Sequence, residues 1–380
     1  EYTNQDAINR GAAPPFPGSP SDYADNDFFD LLINPAPIFN ADVSIAGSSE
    51  NGSVSYYNSL NFFDQDGIID NSGIQKYIFR SNLDFKLSDK LKVGARVNYS
   101  RIKQDNGVVG YGSLLGILPT QEIFNDDGSY NGFEPVRGAD FNNPVATALF
   151  DIDETYTNNL LGTLFVEYSP IENLIIRSTF NPDITNSKRN EFTSSQRPDV
   201  IRQGNGGNAR IRTVSTINWN NENTVQYSGV IGDDHNYTVL GGASFQKDVT
   251  ETASAQAFGF TTDATTFNSL GTGSDPLRNL VESGYAQRTL VSFFGRLNYS
   301  YKDKYLLTLV GRSDGSSVFA EGNKYEFYPS IAGAWKITEE SFMQDQNIFQ
   351  DLKLRASYGK SGNQAIGPYR TLGVYAEGNT

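Results

Sequence analysis

The chain has 380 residues, no cysteine, one histidine and a formal net charge of -14, and 13% of its residues are aromatic. The lack of cysteine excludes disulfides, thiol nucleophiles and cysteine-based metal sites, and the acidic charge argues against nucleic acid as a partner. No stretch approaches the run of about 20 apolar residues that a membrane-spanning helix needs.

Residues 1–38 are polar and proline-rich with little periodicity, and they predict a linker with one helical turn near Leu31. The first residues lack the charged and apolar regions of a secretory leader, so we expect a mature form or a piece of a longer protein. Residues 39–380 are predicted to be part of a β-barrel.

The clearest early pattern is a pair of alternating segments at residues 77–87 and 91–99. Val93, Val97 and Tyr99 share one face of the second segment, whereas Arg96 lies on the other with lysine and asparagine. The charged face is too rich for a sandwich core, and the apolar face is too regular to contact water. Lipid on one side and a water-filled lumen on the other would suit both faces.

The middle of the chain continues with a hairpin at residues 160–180 and three predicted strands at 210–219, 224–230 and 237–245. Four polar segments, 101–156, 181–207, 247–284 and 312–324, are predicted as long outer loops. The connections at 88–90 and 302–304 are predicted as short periplasmic turns, and His235 is predicted to lie in a solvated turn. Short turns alternating with long loops are typical of outer-membrane barrels.

Residues 291–337 carry the strongest signal, because three consecutive segments alternate and aromatic residues cluster at both ends of their apolar face. The fold class predicted is therefore all-β, an antiparallel transmembrane β-barrel of which this chain supplies roughly a dozen strands. Lumen-facing candidates are Arg80, Arg96, Arg296, Asn298 and Arg312, and lipid-facing candidates are Val93, Val97, Leu297, Leu307 and Leu309. The candidate interface aromatics are Tyr99, Tyr299, Tyr301, Tyr305, Tyr325, Phe327 and Trp335.

Other interpretations were weighed against the same residues. A soluble β-sandwich also has alternating strands, so pattern alone leaves it open. Asp64-Gln-Asp66-Gly67 lacks the spacing of a calcium loop, and Ser357-Tyr-Gly-Lys360 lacks the helical context of a β-lactamase motif. The sequence indicates no enzyme, no cofactor and no metal site.

Several stretches resemble the SusC/RagA-type TonB-linked outer-membrane proteins of Bacteroidetes. They lie at residues 56–69, 80–86, 91–94, 294–305, 328–330 and 334–335, and include Arg312-Ser-Asp-Gly-Ser-Ser317 and Leu352-Lys-Leu-Arg-Ala-Ser-Tyr-Gly-Lys-Ser-Gly-Asn363. The likeness covers roughly residues 40–100 and 290–365. Val318 stands where family members often carry a basic residue, so no charged role is expected there.

The resemblance implies a large plugged barrel in the outer membrane, of which this chain would be a central portion. It implies import of oligosaccharides or peptides, with TonB supplying energy through parts outside this chain and a SusD-like surface lipoprotein as partner. The alternative is a surface or secreted β-rich carbohydrate-binding or adhesin module. Too few strands for a complete transporter are expected in these residues alone.

Overall fold

The computed structural model describes residues 9–10, 23–134, 139–343, 345 and 348–371. In this part of the chain, twelve strands form one antiparallel sheet, and a separate two-stranded ribbon lies in a loop. Each strand of the large sheet pairs with the strands next to it in sequence, without a crossover. The predicted all-β class and the count of roughly a dozen strands are confirmed.

The elements have the following bounds. The strands are β1 Ile38–Ser48, β2 Val54–Asp66, β3 Ser72–Ser88, β4 Leu91–Asn106, β5 Phe133–Glu134, β6 Ala139–Asp140, β7 Ile152–Tyr168, β8 Leu174–Thr193, β9 Gly207–Ile231, β10 His235–Phe260, β11 Leu280–Tyr301, β12 Tyr305–Ser316, β13 Tyr325–Lys336 and β14 Lys353–Gly359. The α-helices are α1 Phe28–Leu32, α2 Tyr111–Leu115, α3 Pro144–Phe150 and α4 Pro198–Gln203.

The first helix, α1, is the helical turn expected in the linker. Asp27 caps its start, because the carboxylate accepts the backbone N–H groups of Phe29 (2.9 Å) and Asp30 (3.1 Å). Residues 1–8 and 11–22 of the predicted linker lie outside the described residues, so the boundary of that segment stays a prediction.

One strand of the middle region is longer than the sequence indicated. The two strands predicted at 210–219 and 224–230 are a single strand, β9, and its pairing with β10 has no interruption between Ile231 and Ala209. The prediction was wrong because the polar run Asn220-Asn-Glu-Asn223 was interpreted as a break. These residues continue the alternation between the two faces of the sheet.

The long predicted loops are also shorter than expected. Residues 181–193 belong to β8 and residues 247–260 to β10, so the connections that remain are 107–151, 194–206, 261–279 and 317–324. A tilted membrane-spanning strand needs only about 9–11 residues, whereas β9 has 25 and β10 has 26. These strands therefore extend well beyond the thickness of a bilayer.

The connections at the long-loop end pack on one another. Phe28 and Leu32 of α1 form a buried cluster with Val109, Leu114 and Ala148 of the 107–151 connection. A second buried cluster joins the far ends of three strands and consists of Phe192, Ala209, Ala257 and Phe260. Val318, in the last of these connections, is 1% exposed and packs as an apolar residue.

Both edges of the large sheet are open in the described residues. There β1 pairs only with β2, and β14 pairs only with β13. In the described residues, the outer backbone groups of β1 and β14 therefore have no strand partner.

Candidate functional site on the two faces of the sheet

The strand register sorts the residues singled out from the sequence onto two faces. Directly paired residues lie on the same face of a sheet, and pairing joins Leu297 to Val239 and Leu309. Followed through the pairings from β3 to β12, the five lipid-facing candidates share one face and the five lumen-facing candidates share the other. We call these the apolar face and the polar face.

The apolar face shows a row of exposed aliphatic side chains across neighbouring strands. Val239, Leu309 and Ile331 are paired through β10–β13 with Leu297, and they are 47%, 38% and 48% exposed. An apolar surface this continuous is uncommon on a soluble monomer, where such patches mark contact with a partner or a membrane.

The polar face holds arginines in ion pairs. Arg96 reaches the Asp84 carboxylate with 2.9 and 2.8 Å contacts, and Arg312 donates to Asp314 (2.7 Å) and to the Ser292 hydroxyl (2.8 Å). Since these side chains remain substantially exposed, each pair stabilises the fold by no more than about 1 kcal/mol. Arg80 and Arg296 lie exposed on the same face. The arrangement offers hydrogen-bonding groups to an aqueous space.

Two further arginines of the polar face were missed by sequence reasoning. Arg177 binds Glu167 at 3.2 Å, and Arg288 binds Asp248 at 2.6 Å. Arg177 also covers the ring of Phe165 at 4.3 Å from its centroid. Alternation in β8 and in the first half of β11 could have assigned both arginines to the polar face. It was not recognised, because polar residues occur on both faces of these segments.

Aromatic residues form a stacked row at the short-turn end of the apolar face. The rings of Tyr301 and Tyr305 lie 6.2 Å apart, and those of Tyr305 and Trp335 lie 6.5 Å apart with nearly parallel planes. We call the row of His235, Tyr301, Tyr305 and Trp335 the lower belt. Tyr299 contacts this belt through His235.

His235 is a member of this belt and not a residue of a solvated turn. It is the first residue of β10, its ring lies 4.8 Å from that of Tyr301, and its Nδ1 is 2.6 Å from the hydroxyl of Tyr299. The turn is confined to residues 232–234. The expectation was wrong because the strand begins one residue after the acidic pair.

The remaining candidate interface aromatics lie far from the lower belt. Tyr99 and Phe327 each lie about eight residues, or about 26 Å along the strand, from the short-turn end of β4 and β13. Tyr325 lies two residues beyond Phe327 on the same face. With a strand tilt of about 35–45°, 26 Å along the strand is about 18–21 Å along the membrane normal, and Tyr325 extends this to about 23–27 Å. The upper limit set by Tyr325 therefore matches the apolar band of about 25 Å that two aromatic girdles enclose.

A concave region lies on the polar face near the short-turn end. It has a volume of about 770 Å³, and one cross-strand row lining it is Thr238, Asn298, Thr308 and Ala332. The Thr308 hydroxyl donates to the side-chain oxygen of Asn298 at 3.1 Å. The side chains of this row are short, so they leave open space on the concave side of the sheet.

Two carboxylates hold the loop that follows β8. Asp263, from the 261–279 connection, accepts the Ser195 N–H (2.9 Å) and hydroxyl (2.8 Å), the Gln196 side-chain N–H (3.0 Å) and the Ser194 hydroxyl. Asp151, from the 107–151 connection, accepts the Ser194 N–H at 3.0 Å and Arg197 at 2.7 Å. Three loops are thus joined in one hydrogen-bonded cluster.

The two carboxylates differ in electrostatic state. Burial raises the pKa of Asp151, and the adjacent Arg197 offsets part of that effect. Burial also acts to raise the pKa of Asp263, but hydrogen bonds from Ser194, Ser195 and Gln196 outweigh it and hold that pKa below its usual range. Asp263 therefore stays ionised at neutral pH.

Replacing Asp263 with alanine is expected to loosen residues 194–206, because the donors of Ser194, Ser195 and Gln196 lose a charged acceptor. Each hydrogen bond to a charged group is worth about 1.5–3 kcal/mol, so opening of the loop is expected to become at least about tenfold more frequent. Amide hydrogen exchange in 194–206 measures this, with Asp126→Ala in a neighbouring exposed loop as the control.

The same contribution should depend on pH in one direction. A carboxylate with a lowered folded-state pKa stabilises fully above its ordinary value of about 3.9 and loses the effect as the pH falls through the lowered value. If Asp263→Ala and Asp126→Ala showed equal protection of residues 194–206 from amide hydrogen exchange at pH 7, the role given to Asp263 would be contradicted.

The described residues contain no group of three or more His, Asp or Glu side chains placed to hold a metal ion. In the same residues, no helix is long and apolar enough to cross a membrane.

An antiparallel sheet with one apolar face, girdled by aromatic residues, and one arginine-bearing polar face is the wall of a transmembrane β-barrel. Comparison with known proteins agrees with this class of protein. TonB-dependent receptor P26 of Formosa agariphila is 64% identical over 379 residues, covering 100% of this chain and 38% of the receptor. TonB-dependent receptor SusC of Bacteroides thetaiotaomicron is 27% identical over 395 residues, covering 94% and 37%.

Solved structures agree with these relatives. The RagAB peptide importer in its open-open state superimposes with a TM-score of 0.77 at 25% identity, covering 91% of this chain and 38% of that one. No family model matches the chain. The chain spans less than two fifths of the length of the curated relatives named here. The chain is similar along its whole length to TonB-dependent receptors, including those of the SusC/RagA type, as the resemblance of its motifs indicated.

Proposed function

We propose that the complete protein imports oligosaccharides or peptides across the cell outer membrane. The observation that carries this proposal is the division of the sheet into an apolar face with two aromatic girdles and a polar face with paired arginines. The apolar face would contact lipid, and the polar face would line a lumen for hydrated solutes. The relatives are named as receptors or importers, which supports transport over catalysis.

The proposal includes two partners. TonB would supply energy through regions outside these residues, and a SusD-like lipoprotein would cover the barrel at the cell surface. Support for the second partner comes from the long strands β8–β11 and the interlocked loops at their far ends. They form a hydrogen-bonded and packed rim on which a surface protein could rest.

The orientation can be tested with single cysteines, since the chain has none of its own. Cysteines at Asp127 and Asn205, in two of the long connections, are expected to react with an impermeant maleimide on intact cells, because long loops face outward. A cysteine at Asp303, in a short turn, is expected to react only after the outer membrane is opened. Labelling confined to Asp303 on intact cells would invert the topology.

The function is tested in two steps. The complete protein should fractionate with the outer membrane and migrate differently on gels before and after heating. Deleting its gene should then abolish uptake of one class within a panel of labelled oligosaccharides and peptides, and re-expression should restore it. A detergent-indifferent soluble protein would instead support the surface-binding module, and unchanged uptake of every probe would reject import of those classes.

A further inference from the structure

The connection between β13 and β14 is unusual at the short-turn end of the sheet. It comprises residues 337–352, whereas each of the other connections at that end is as short as residues 49–53 or shorter. Its first part forms two 3₁₀ turns, Ile337–Glu339 and Ser341–Met343. A longer segment at this end needs a reason, because short turns suffice to join neighbouring strands.

Glu340 folds this connection back onto the lower belt. Its Oε1 accepts the Tyr305 hydroxyl at 2.6 Å and the Trp335 indole N–H at 3.0 Å, and the Lys304 ammonium lies 3.5 Å from its other oxygen. Tyr305 and Trp335 lie on the apolar face. The hydrogen bond from Tyr305, and then that from Trp335, lowers the pKa of Glu340, which keeps the carboxylate ionised.

The turn after Glu340 carries a large apolar side chain that is exposed. The Met343 N–H donates to the Glu340 carbonyl at 2.9 Å, which closes a tight turn around Phe342. Phe342 is 67% exposed, and further along the connection Ile348 is 82% exposed. Exposed apolar side chains next to an aromatic belt differ from the polar turns at 89–90 and 302–304.

We propose that residues 337–343 of this connection form an interfacial anchor, with Phe342 inserted at the boundary between headgroups and acyl chains of the leaflet at the short-turn end. We favour a lipid surface as the partner of Phe342, because the contacts of Glu340 join this turn to the lower belt. Aromatic rows of this kind lie at the membrane interface, so the turn would lie at the same depth. Lys304 supplies a cation at headgroup level. This proposal rests on the proposed outer-membrane location.

The test uses the complete protein in phospholipid vesicles, with Phe342→Cys carrying an environment-sensitive fluorophore. Quenching by nitroxides attached to a lipid headgroup or midway along an acyl chain is compared with quenching by aqueous iodide. Leu309→Cys, on the apolar face, is the control for lipid contact, and Asp233→Cys, in an exposed polar turn, is the control for water. The label at 342 is expected to be quenched severalfold more by the lipid nitroxide than the label at 233.

The outcomes separate the anchor from the membrane assignment. If the label at 309 responds to lipid quencher and that at 342 responds only to iodide, or to neither quencher, the anchor is rejected while the facing stands. If neither label responds to lipid quencher, the membrane facing itself is rejected. In the Phe342→Cys protein, Glu340→Ala is expected to reduce lipid quenching, whereas Glu340→Gln, which keeps an acceptor oxygen, should retain most of it. Unchanged quenching in Glu340→Ala would overturn the role of the Glu340 contacts.

Discussion

Replacing Leu297 with arginine is expected to destabilise the complete protein by about 2–4 kcal/mol, the cost of a cation at the midplane of the lipid-facing surface of a barrel. Leu297 lies on the apolar face about 13 Å along β11 from the lower belt, and its paired neighbours Val239 and Leu309 are aliphatic. No carboxylate of that row could neutralise the new charge. Denaturant titration of refolding in bilayers measures the difference.

The adjacent residue supplies the matched control. Asn298→Arg places the same side chain one residue away, on the polar face, where Thr238 and Thr308 are its paired neighbours. A hydrated surface should accept the guanidinium at a cost far below that at Leu297. Equal destabilisation by the two substitutions would refute the assignment of the faces to lipid and lumen.

Expressed alone, the 380-residue chain is expected to form no stable pore. The edges β1 and β14 leave backbone N–H and C=O groups unpaired in the described sheet, and each such group costs several kcal/mol in lipid. The twelve strands also fall short of the 22 of a plugged transporter. Planar-bilayer recordings and solute flux into liposomes measure this, and aggregation or dependence on detergent is the expected result.

The complete protein, refolded in the same lipid, is the control for that experiment. It should insert and remain monomeric under conditions in which the 380-residue chain aggregates. A stable monomeric pore formed by the chain alone, passing oligosaccharide or peptide, would show that the two edges can close on each other.

The fold was predictable where one face of the sheet is apolar. In β3, β4 and β11–β13 the contrast between residues such as Leu297 and Asn298 gives a clear period of two. The contrast disappears in the far halves of β8 and β10, where Thr185, Asn186 and Ser187 follow one another. A strand with water on both faces has no reason to alternate, so these segments were taken for loops.

The candidate site was predictable only in part for a different reason. Which face Arg96 and Arg312 occupy follows from alternation, and so does the pairing of Arg312 with Asp314, two residues along the same strand. The partner of Arg96, Asp84, lies on the neighbouring strand and follows only from the register of β3 against β4. Asp263 meets Ser194 across 69 residues. Such a contact depends on how several strands are aligned side by side in the sheet. No local sequence pattern could reveal it.

The uninterrupted strand order has a consequence for how the molecule is built. Because every strand of the large sheet pairs with the next strand of that sheet, most strands can add to the growing edge by closing a short connection, at a small entropic cost. The 107–151 connection between β4 and β7 is the long exception. The sheet therefore has low contact order for a β protein, and its formation should resemble sequential addition more than a single cooperative search. In the complete barrel only the union of the first and last edges would join residues distant in sequence, so we expect ring closure to be the slowest folding step.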